Sequence, residues 1–366
     1  MTFFSIIGSI IFFLFNLYSY KSLCKNALFK RLSVVLLFIF TLLFSCELAF
    51  FFHWTSSNSM AYSLSVYAIG FSFMAFCVLG LGDLLGAFFA SRKNKSRQNI
   101  RMVYDTLVLC LLVCYIGFGA YNASTLKVTE RNIEIVGLEK SLRAVMISDV
   151  HLGNFLGLKH AQKVVELINK ENPEMVFIVG DFIDTKAYRL GDIAEPFKNL
   201  KAQAFFVSGN HEFYHGIEEI FEKITELGIK IIDNSSVELE SVNIAGLSDL
   251  QGTNFGMEPN PLKALADVNR SKPTILLSHQ PKSLSLLSFD ELNNISLVLS
   301  GHTHAGQIFP FSLLVWAAQG YIYGESDITP RTKLVVSSGA GFWGPPMRIL
   351  SNNEIVVLNL IPRTPK

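Results

Sequence analysis

No cysteine follows Cys114: all five, Cys24, Cys46, Cys77, Cys110 and Cys114, lie in the first third of the chain. Residues 125 to 366 therefore hold no intramolecular disulfide, and cysteine usage leaves their redox compartment open. Charge is also scarce, at 17% Asp, Glu, Lys and Arg, while 50% of the residues are hydrophobic and the mean hydropathy is +0.37. Such a balance is too apolar for an ordinary soluble enzyme, so part of the chain belongs in lipid. No basic stripe interleaved with aromatics occurs, and no nucleic acid is expected as a partner.

The apolar excess sits at one end. Residues 3–20, 32–52, 62–90 and 103–121 are four runs long enough to span a bilayer, and we expect residues 1–124 to form a transmembrane helical domain. The first run lacks a basic leading region and a small-residue cleavage site, which argues against a signal peptide. Lys21, Lys25, Lys30 and Arg31 follow the first run; Arg92, Lys93, Lys95, Arg97 and Arg101 follow the third; His53 to Ala61 has neither Lys nor Arg. By the positive-inside rule the two basic loops are cytoplasmic, so residues 125–366 are expected outside the cytoplasm. Glu47 and Asp83 fall within or near spans, and with no transporter-like repeat visible they read as interhelical or interfacial groups.

After Ala123 the pattern changes. Leu126 and Val128 followed by Ile133 and Ile135 read as a β-hairpin, and five apolar runs follow: 143–148, 175–179, 204–208, 274–278 and 295–300. Helical stretches, among them 160–170 and 217–227, separate most of them, so the strands should lie parallel. Residues 231–240 and 242–247 read as a hairpin of a second sheet. Each of the five runs ends in a cluster of ligand-type residues: Asp149-Val150-His151, Gly180-Asp181-Phe182-Ile183-Asp184, Gly209-Asn210-His211-Glu212, Ser278-His279-Gln280-Pro281 and Gly301-His302-Thr303-His304-Ala305-Gly306-Gln307. Groups at the carboxyl ends of parallel strands converge on one edge of the sheet. Imidazole mixed with carboxylate suits Zn, Mn or Fe better than Mg or Ca. Seven candidate ligands, Asp149, His151, Asp181, Asn210, His279, His302 and His304, are too many for one four-coordinate ion and fit two divalent metal ions that share a carboxylate.

In this order the clusters resemble the signature of the calcineurin-like metallophosphoesterases, over roughly residues 125 to 362, with every ligand position filled. The resemblance implies an α/β fold, a two-sheet α/β/β/α sandwich, here preceded by a bundle of about four transmembrane helices. It implies that Asp149, His151, Asp181 and His304 hold one metal and that Asp181, Asn210, His279 and His302 hold the other. It further implies attack on phosphorus by a hydroxide bridging the ions, with His211 as general acid oriented by Asp184. GHTHAGQI and the late Gly341-Phe342-Trp343-Gly344-Pro345-Pro346-Met347-Arg348 look like the bacterial membrane-associated branch, which implies the inner membrane.

The expected function is a membrane-anchored dinuclear phosphoesterase, more a phosphodiesterase or pyrophosphatase than a protein phosphatase, acting on an envelope or lipid-linked phosphoester. One alternative keeps the chemistry, a UDP-diacylglucosamine-type pyrophosphatase of lipid A synthesis; its substrate is cytoplasmic, against the orientation above. Another is a metal-binding receptor or scaffold without catalysis. Residues 308–323 carry no charge and several aromatics, which suits a buried insertion or a lip that meets membrane lipid. Phe342 and Trp343 could line the same groove, with Arg348 a phosphate contact or a structural ion pair. Of the other histidines, His160 is expected to face solvent and His215 to lie at the rim as a non-ligand.

Overall fold

The computed structural model describes residues 2–25, 27–52, 54, 60–89, 97–153 and 155–363, and its chain forms two compact units. One comprises Met1–Ser124 together with Gly344–Ile349; the other comprises Thr125–Trp343 and Leu350–Lys366. Arg92, Lys93, Lys95 and most of the His53 to Ala61 loop, on which the orientation argument leans, lie outside the described residues.

In the first unit four helices, α1 (Thr2–Leu23), α2 (Ser33–Phe51), α3 (Met60–Phe89) and α4 (Arg97–Ser124), contain spans long and apolar enough to cross a membrane: Ser5–Leu23, Ser33–Phe51, Met60–Ala87 and Thr106–Ser124. Both acids in the spans bond between helices. Glu47 is buried and accepts from Asn16 Nδ2 at 2.7 Å, while Ser72 Oγ donates to Asn16 Oδ1 at 3.0 Å. Asp83 takes bonds from Tyr18 (2.8 Å), Ser22 (2.8 Å) and Lys25 (2.6 Å). Such pairing offsets the cost of polar groups in lipid. The segment Gly344–Ile349 lies close to glycines of this unit, since a methyl at Gly70 would press on Pro345 and one at Gly119 on Ile349.

The second unit is a sandwich of two six-stranded sheets flanked by helices. The first sheet runs β1 (Leu126–Ile135), β12 (Asn353–Pro362), β2 (Leu142–Ile147), β3 (Met175–Val179), β4 (Gln203–Val207) and β5 (Lys230–Ile231), with β2 to β5 parallel. The second runs β10 (Gly324–Asp327), β11 (Lys333–Val336), β9 (Leu297–Ser300), β8 (Thr274–Leu277), β7 (Asn243–Gly246) and β6 (Ser235–Glu238), with β11, β9, β8 and β7 parallel. Facing side chains such as Met146, Phe177, Phe205, Ile244, Leu277 and Leu299 fill the space between the sheets. The outer face of the first sheet packs on α5 (Leu158–Lys170) and α7 (Ile217–Glu226) through Val164, Ile168, Ile220 and Ile224.

Three expectations change. Residues 126–135 are one continuous strand, not a hairpin, paired in parallel with β12 from Leu126↔Asn353 to Ile135↔Pro362. The polar stretch that looked like a turn finds partners across the sheet: Thr129 donates to Glu354 at 2.9 Å and Asn132 accepts from Asn359 at 3.0 Å. Ile231 lies in β5 beside β4, so only β6 and β7 make the second-sheet hairpin.

His160 does not face solvent. Although the residue is only half-buried, its Nε2 is sealed from water, and burial pushes the ring down to about 4 against a weaker raising effect from its bond to the Ala340 carbonyl. A folded value below the unfolded 6.5 means the unfolded chain binds the extra proton first, so stability falls as pH drops from 6.5 towards 4. His160→Asn, which keeps a donor and loses the titration, should flatten the melting temperature across that window relative to wild type. The wild-type loss from this group is at most about 3 kcal/mol.

Candidate metal centre and its surroundings

Five parallel strands deliver the site. Asp149 follows β2, Asp181 follows β3, Asn210 follows β4, His279 follows β8 and His302 follows β9, each within three residues of the strand's last position. These are the carboxyl ends of strands in both sheets, so the ligands of one sheet meet those of the other. Main-chain bonds lock the turns together: Asp149 N donates to Gly180 O (3.0 Å), His151 N to Asp181 O (3.0 Å) and Gly301 N to His279 O (2.9 Å). Asp149, His151, Asp181, His302 and His304 all have positive φ, between 49° and 68°. Left-handed backbone at non-glycine residues is strained, and its concentration here marks a site whose geometry the surrounding fold enforces.

Glycines open the space the ligands occupy. A methyl group at Gly180 would strike the ring of His279, one at Gly209 would strike the Asp181 carboxylate, and one at Gly301 would lie 2.5 Å from Asp149 Oδ2. Gly209 has φ −110° and ψ −178°, which any residue adopts, so space alone demands glycine there. Gly209→Ala should therefore leave the fold melting cooperatively while weakening binding of added Mn or Zn by more than about tenfold, the least seen when a ligand's support is lost. Titration calorimetry on the full chain reads this, and unchanged binding would refute the crowding argument.

Eight of the nine expected site residues, all but Asn210, fall into groups with ligand atoms close together. Asp149, His151 and His304 offer ligand atoms within 4.8 Å of one another, and so do Asp181, His279 and His302. Between the two groups, Asp181 Oδ2 lies 3.2 Å from His279 Nε2 and 3.9 Å from His151 Nε2, while its other oxygen accepts from His211 N at 2.8 Å. His304 Nε2 is 3.3 Å from Asp149 Oδ1 and 3.1 Å from His151 Nε2. Asn210 opens α6 (Asn210–His215), buried, with no hydrogen-bond partner for Oδ1.

The donor set fits divalent ions. His151 Nδ1 and Asn210 Oδ1 are buried without hydrogen-bond partners, an arrangement that costs stability unless something else satisfies them. His279 Nδ1 donates to Val179 O at 2.8 Å, which turns Nε2 towards Asp181; burial lowers this ring, but Asp181 outweighs it and holds the pKa well above 6.5, so a cation would take the place of the Nε2 proton. Burial pushes His151 down to about 4 and His302 down to about 3, so both present neutral imidazole at pH 7. Burial raises Asp149 to about 6, a cost that a cation beside it would remove. These features make a candidate dinuclear site.

Beside the cluster stands a second constellation. His211 Nδ1 donates to Asp184 Oδ1 at 2.6 Å, and its Nε2 lies 4.0 Å from Asp181 Oδ2. Burial alone would lower His211, but Asp181 and Asp184 outweigh it and hold the ring at about 9. His215, the expected rim residue, donates from Nε2 to the same Asp184 oxygen at 3.0 Å. It sits one helical turn beyond His211 on the same face, a spacing that could have signalled the pairing.

Two residues, Glu212 and Gln307, had no assigned role in the sequence. Glu212 is fully buried and takes four main-chain N–H bonds, from Asp181 (3.0 Å), Phe182 (2.8 Å), Ile183 (3.0 Å) and Gly209 (2.7 Å), tying two ligand turns together. Gln307 exchanges bonds with the Trp343 main chain at 2.7 and 3.0 Å, and the Trp343 ring stands edge-on to His211 at 6.4 Å. Phe342 packs on Phe155 at 6.2 Å. Arg348, expected near phosphate or in an ion pair, belongs to the helical unit, where its main-chain N donates to Gly119 O at 2.8 Å.

Residues 142–306 match the family model described as calcineurin-like phosphoesterase. An uncharacterized metallophosphoesterase of Campylobacter jejuni is 37% identical over 372 residues, covering 98% of both chains. One from Helicobacter pylori is 36% identical over 371 residues, again covering 98% of both. A transmembrane protein with metallophosphoesterase domain from Danio rerio is 33% identical over 349 residues, 88% of this chain and 78% of that one. The likeness thus reaches from bacteria to a vertebrate and is not confined to a bacterial branch.

Proposed function

Because this chain belongs to the calcineurin-like phosphoesterase family and is an integral membrane hydrolase, we propose that it is a phosphodiesterase that uses two divalent ions to cleave an envelope or lipid-linked phosphodiester. The observation that carries the reading is the shared Asp181 carboxylate, one oxygen of which faces an imidazole from each group of ligands. In this reading Asp149, His151, Asp181 and His304 hold one ion, and Asp181, Asn210, His279 and His302 hold the other. Bound there, two ions would supply Lewis acidity, lowering the pKa of water and polarising the phosphoryl oxygens. Nitrogen and oxygen donors together favour Mn, Zn or Fe.

The chain's own groups do the rest. His211 carries a proton near neutrality and gives it to the departing oxygen from Nε2, while Asp184 holds Nδ1 and keeps the ring oriented. His215 bonds the same carboxylate oxygen and braces it. Glu212 keeps the Asp181 and Asn210 turns in register, so the ligands are preorganised. Residues 1–124 serve as the membrane domain and 125–366 as the enzyme. The loop charges support an extracytoplasmic site, and the Campylobacter and Helicobacter relatives, each covering 98% of both chains, support a bacterial inner membrane.

Full-length protein, stripped with chelator and reloaded with Mn, Zn or Fe, should hydrolyse bis-p-nitrophenyl phosphate faster than p-nitrophenyl phosphate. No turnover of either with any of the three would defeat the proposal. Reporter fusions at residue 125 active only in the cytoplasm would overturn the orientation.

A further inference from the structure

Directly after the His304 turn the chain leaves the sandwich for an excursion, residues 308–323, before returning as β10. From Ala305 to Gly324 there is no Asp, Glu, Lys or Arg. Its helix α8 (Ser312–Gln319) buries no residue: Leu313 is 60% exposed, Leu314 66% and Trp316 58%. Phe309, Phe311 and Tyr323 add partly exposed rings around it. The alternative of an insertion packed into the core is thereby excluded. Single apolar side chains on a surface need no explanation, but a charge-free run of this kind does.

The excursion is also held rigidly. At its base Ser351 Oγ donates to Gln307 O (2.9 Å) and Thr303 Oγ1 to Ile322 O (2.6 Å). Further out, Gln319 Nε2 donates to Gln280 Oε1 (3.3 Å), Lys282 N to Gln319 Oε1 (3.3 Å) and Tyr323 OH to Glu354 (3.1 Å). A methyl at Gly306 would collide with Ser312, so α8 starts in direct contact with the ligand turn. These bonds fix the helix while leaving Leu313, Leu314 and Trp316 outward.

We infer that α8 is an interfacial lip, seated in the boundary layer of the bilayer that the chain's own spans cross, and that it admits phosphoesters resident in that bilayer. Two observations select lipid over another protein. One residue, Thr125, separates α4 from β1, so the enzyme unit is tethered at the membrane surface. The patch has no charge to pair with a protein rim, and Trp, Phe, Tyr and Leu are the residues that settle at that depth. The substrate class rests on the proposed phosphodiesterase activity; the seating of the lip does not.

Two measurements on the full chain in phosphatidylglycerol and phosphatidylcholine vesicles test it separately. Emission of Trp316, taken as the difference between wild type and Trp316→Phe, should be quenched by brominated acyl chains and shielded from aqueous iodide. Quenching by iodide alone puts the lip in water; shielding from both puts it against protein, including a second copy. Either result overturns the inference. Leu313→Ser with Leu314→Ser should lower hydrolysis of hexadecyl p-nitrophenyl phosphate at least about tenfold while sparing bis-p-nitrophenyl phosphate, which shares its leaving group. Equal effects on the two substrates, or none, overturn the substrate class. If wild type cleaves neither, the phosphodiesterase reading and the substrate class fall together, and the quenching still decides whether the lip is in lipid.

Discussion

Asp181→Asn is expected to lose both metal and activity while the fold persists. The side chain is buried, with one oxygen accepting from His211 N and the other turned towards His151 and His279. Asparagine preserves the volume and can keep the first bond. Its amide nitrogen, however, would aim donor hydrogens at the space a cation would fill, and the charge shared by the two groups would be gone. Losing a partner that merely orients a ligand costs 10- to 100-fold in metal affinity, so losing a shared ligand should exceed about 100-fold. Elemental analysis after gel filtration should find less than the wild-type metal content, and hydrolysis should fall with it. The metal-free protein should melt lower than wild type, because burial opposes the Asp181 charge but His279 and His211 outweigh it and hold the carboxyl well below its usual range, and the substitution removes that pairing. Wild-type metal content and rate in this variant would refute the shared-ligand assignment.

The sandwich was legible because its strands announce themselves twice. Met175–Val179 is five apolar residues ending in glycine and then aspartate, and the strand in the structure has those bounds. The other four expected runs, 143–148, 204–208, 274–278 and 295–300, agree with their strands within one or two residues, for the same reason: a strand buried on both faces reads as a continuous apolar run, and the ligand cluster marks where it stops. The four spans are as plain, since their length is dictated by the bilayer. What the sequence hid depends on partners distant along the chain. Nothing near residue 130 says that Thr129 will meet Glu354, so a polar stretch in an edge strand imitated a turn. Glu212 could be seen beside His211, yet its role as a four-bond anchor needs the three-dimensional path of the Asp181 turn.

The same limit explains His160 and the lip. A histidine near the start of an amphipathic helix gives no sign that its ring will be sealed against the Ala340 carbonyl. A charge-free run gives no sign of burial or exposure until the fold is known, and the outward side chains of α8 rule out burial. Pairing of Glu47 with Asn16 and of Asp83 with Tyr18, Ser22 and Lys25 was readable only as a class of outcome, because helix rotation sets which polar groups meet.

His211→Gln separates proton donation from metal binding. The variant keeps a polar side chain at the position and leaves every proposed ligand intact, so metal content should match wild type. Only the proton is lost: in wild type Asp184, a carboxylate outside the proposed ligand set, favours it through the 2.6 Å bond from Nδ1. General acid catalysis contributes roughly 10² to 10⁴ in rate, and its worth depends on how badly the leaving oxygen needs a proton. The loss should therefore approach that range for an alkyl phosphodiester and shrink for bis-p-nitrophenyl phosphate, whose phenolate departs unaided. Asp184→Asn should show the same dependence in weaker form, since the ring would keep its place but lose the charge that favours its protonation. A His211→Gln variant equally impaired on both leaving groups, or one that sheds its metal, would mean that this imidazole shapes the site instead of protonating the product.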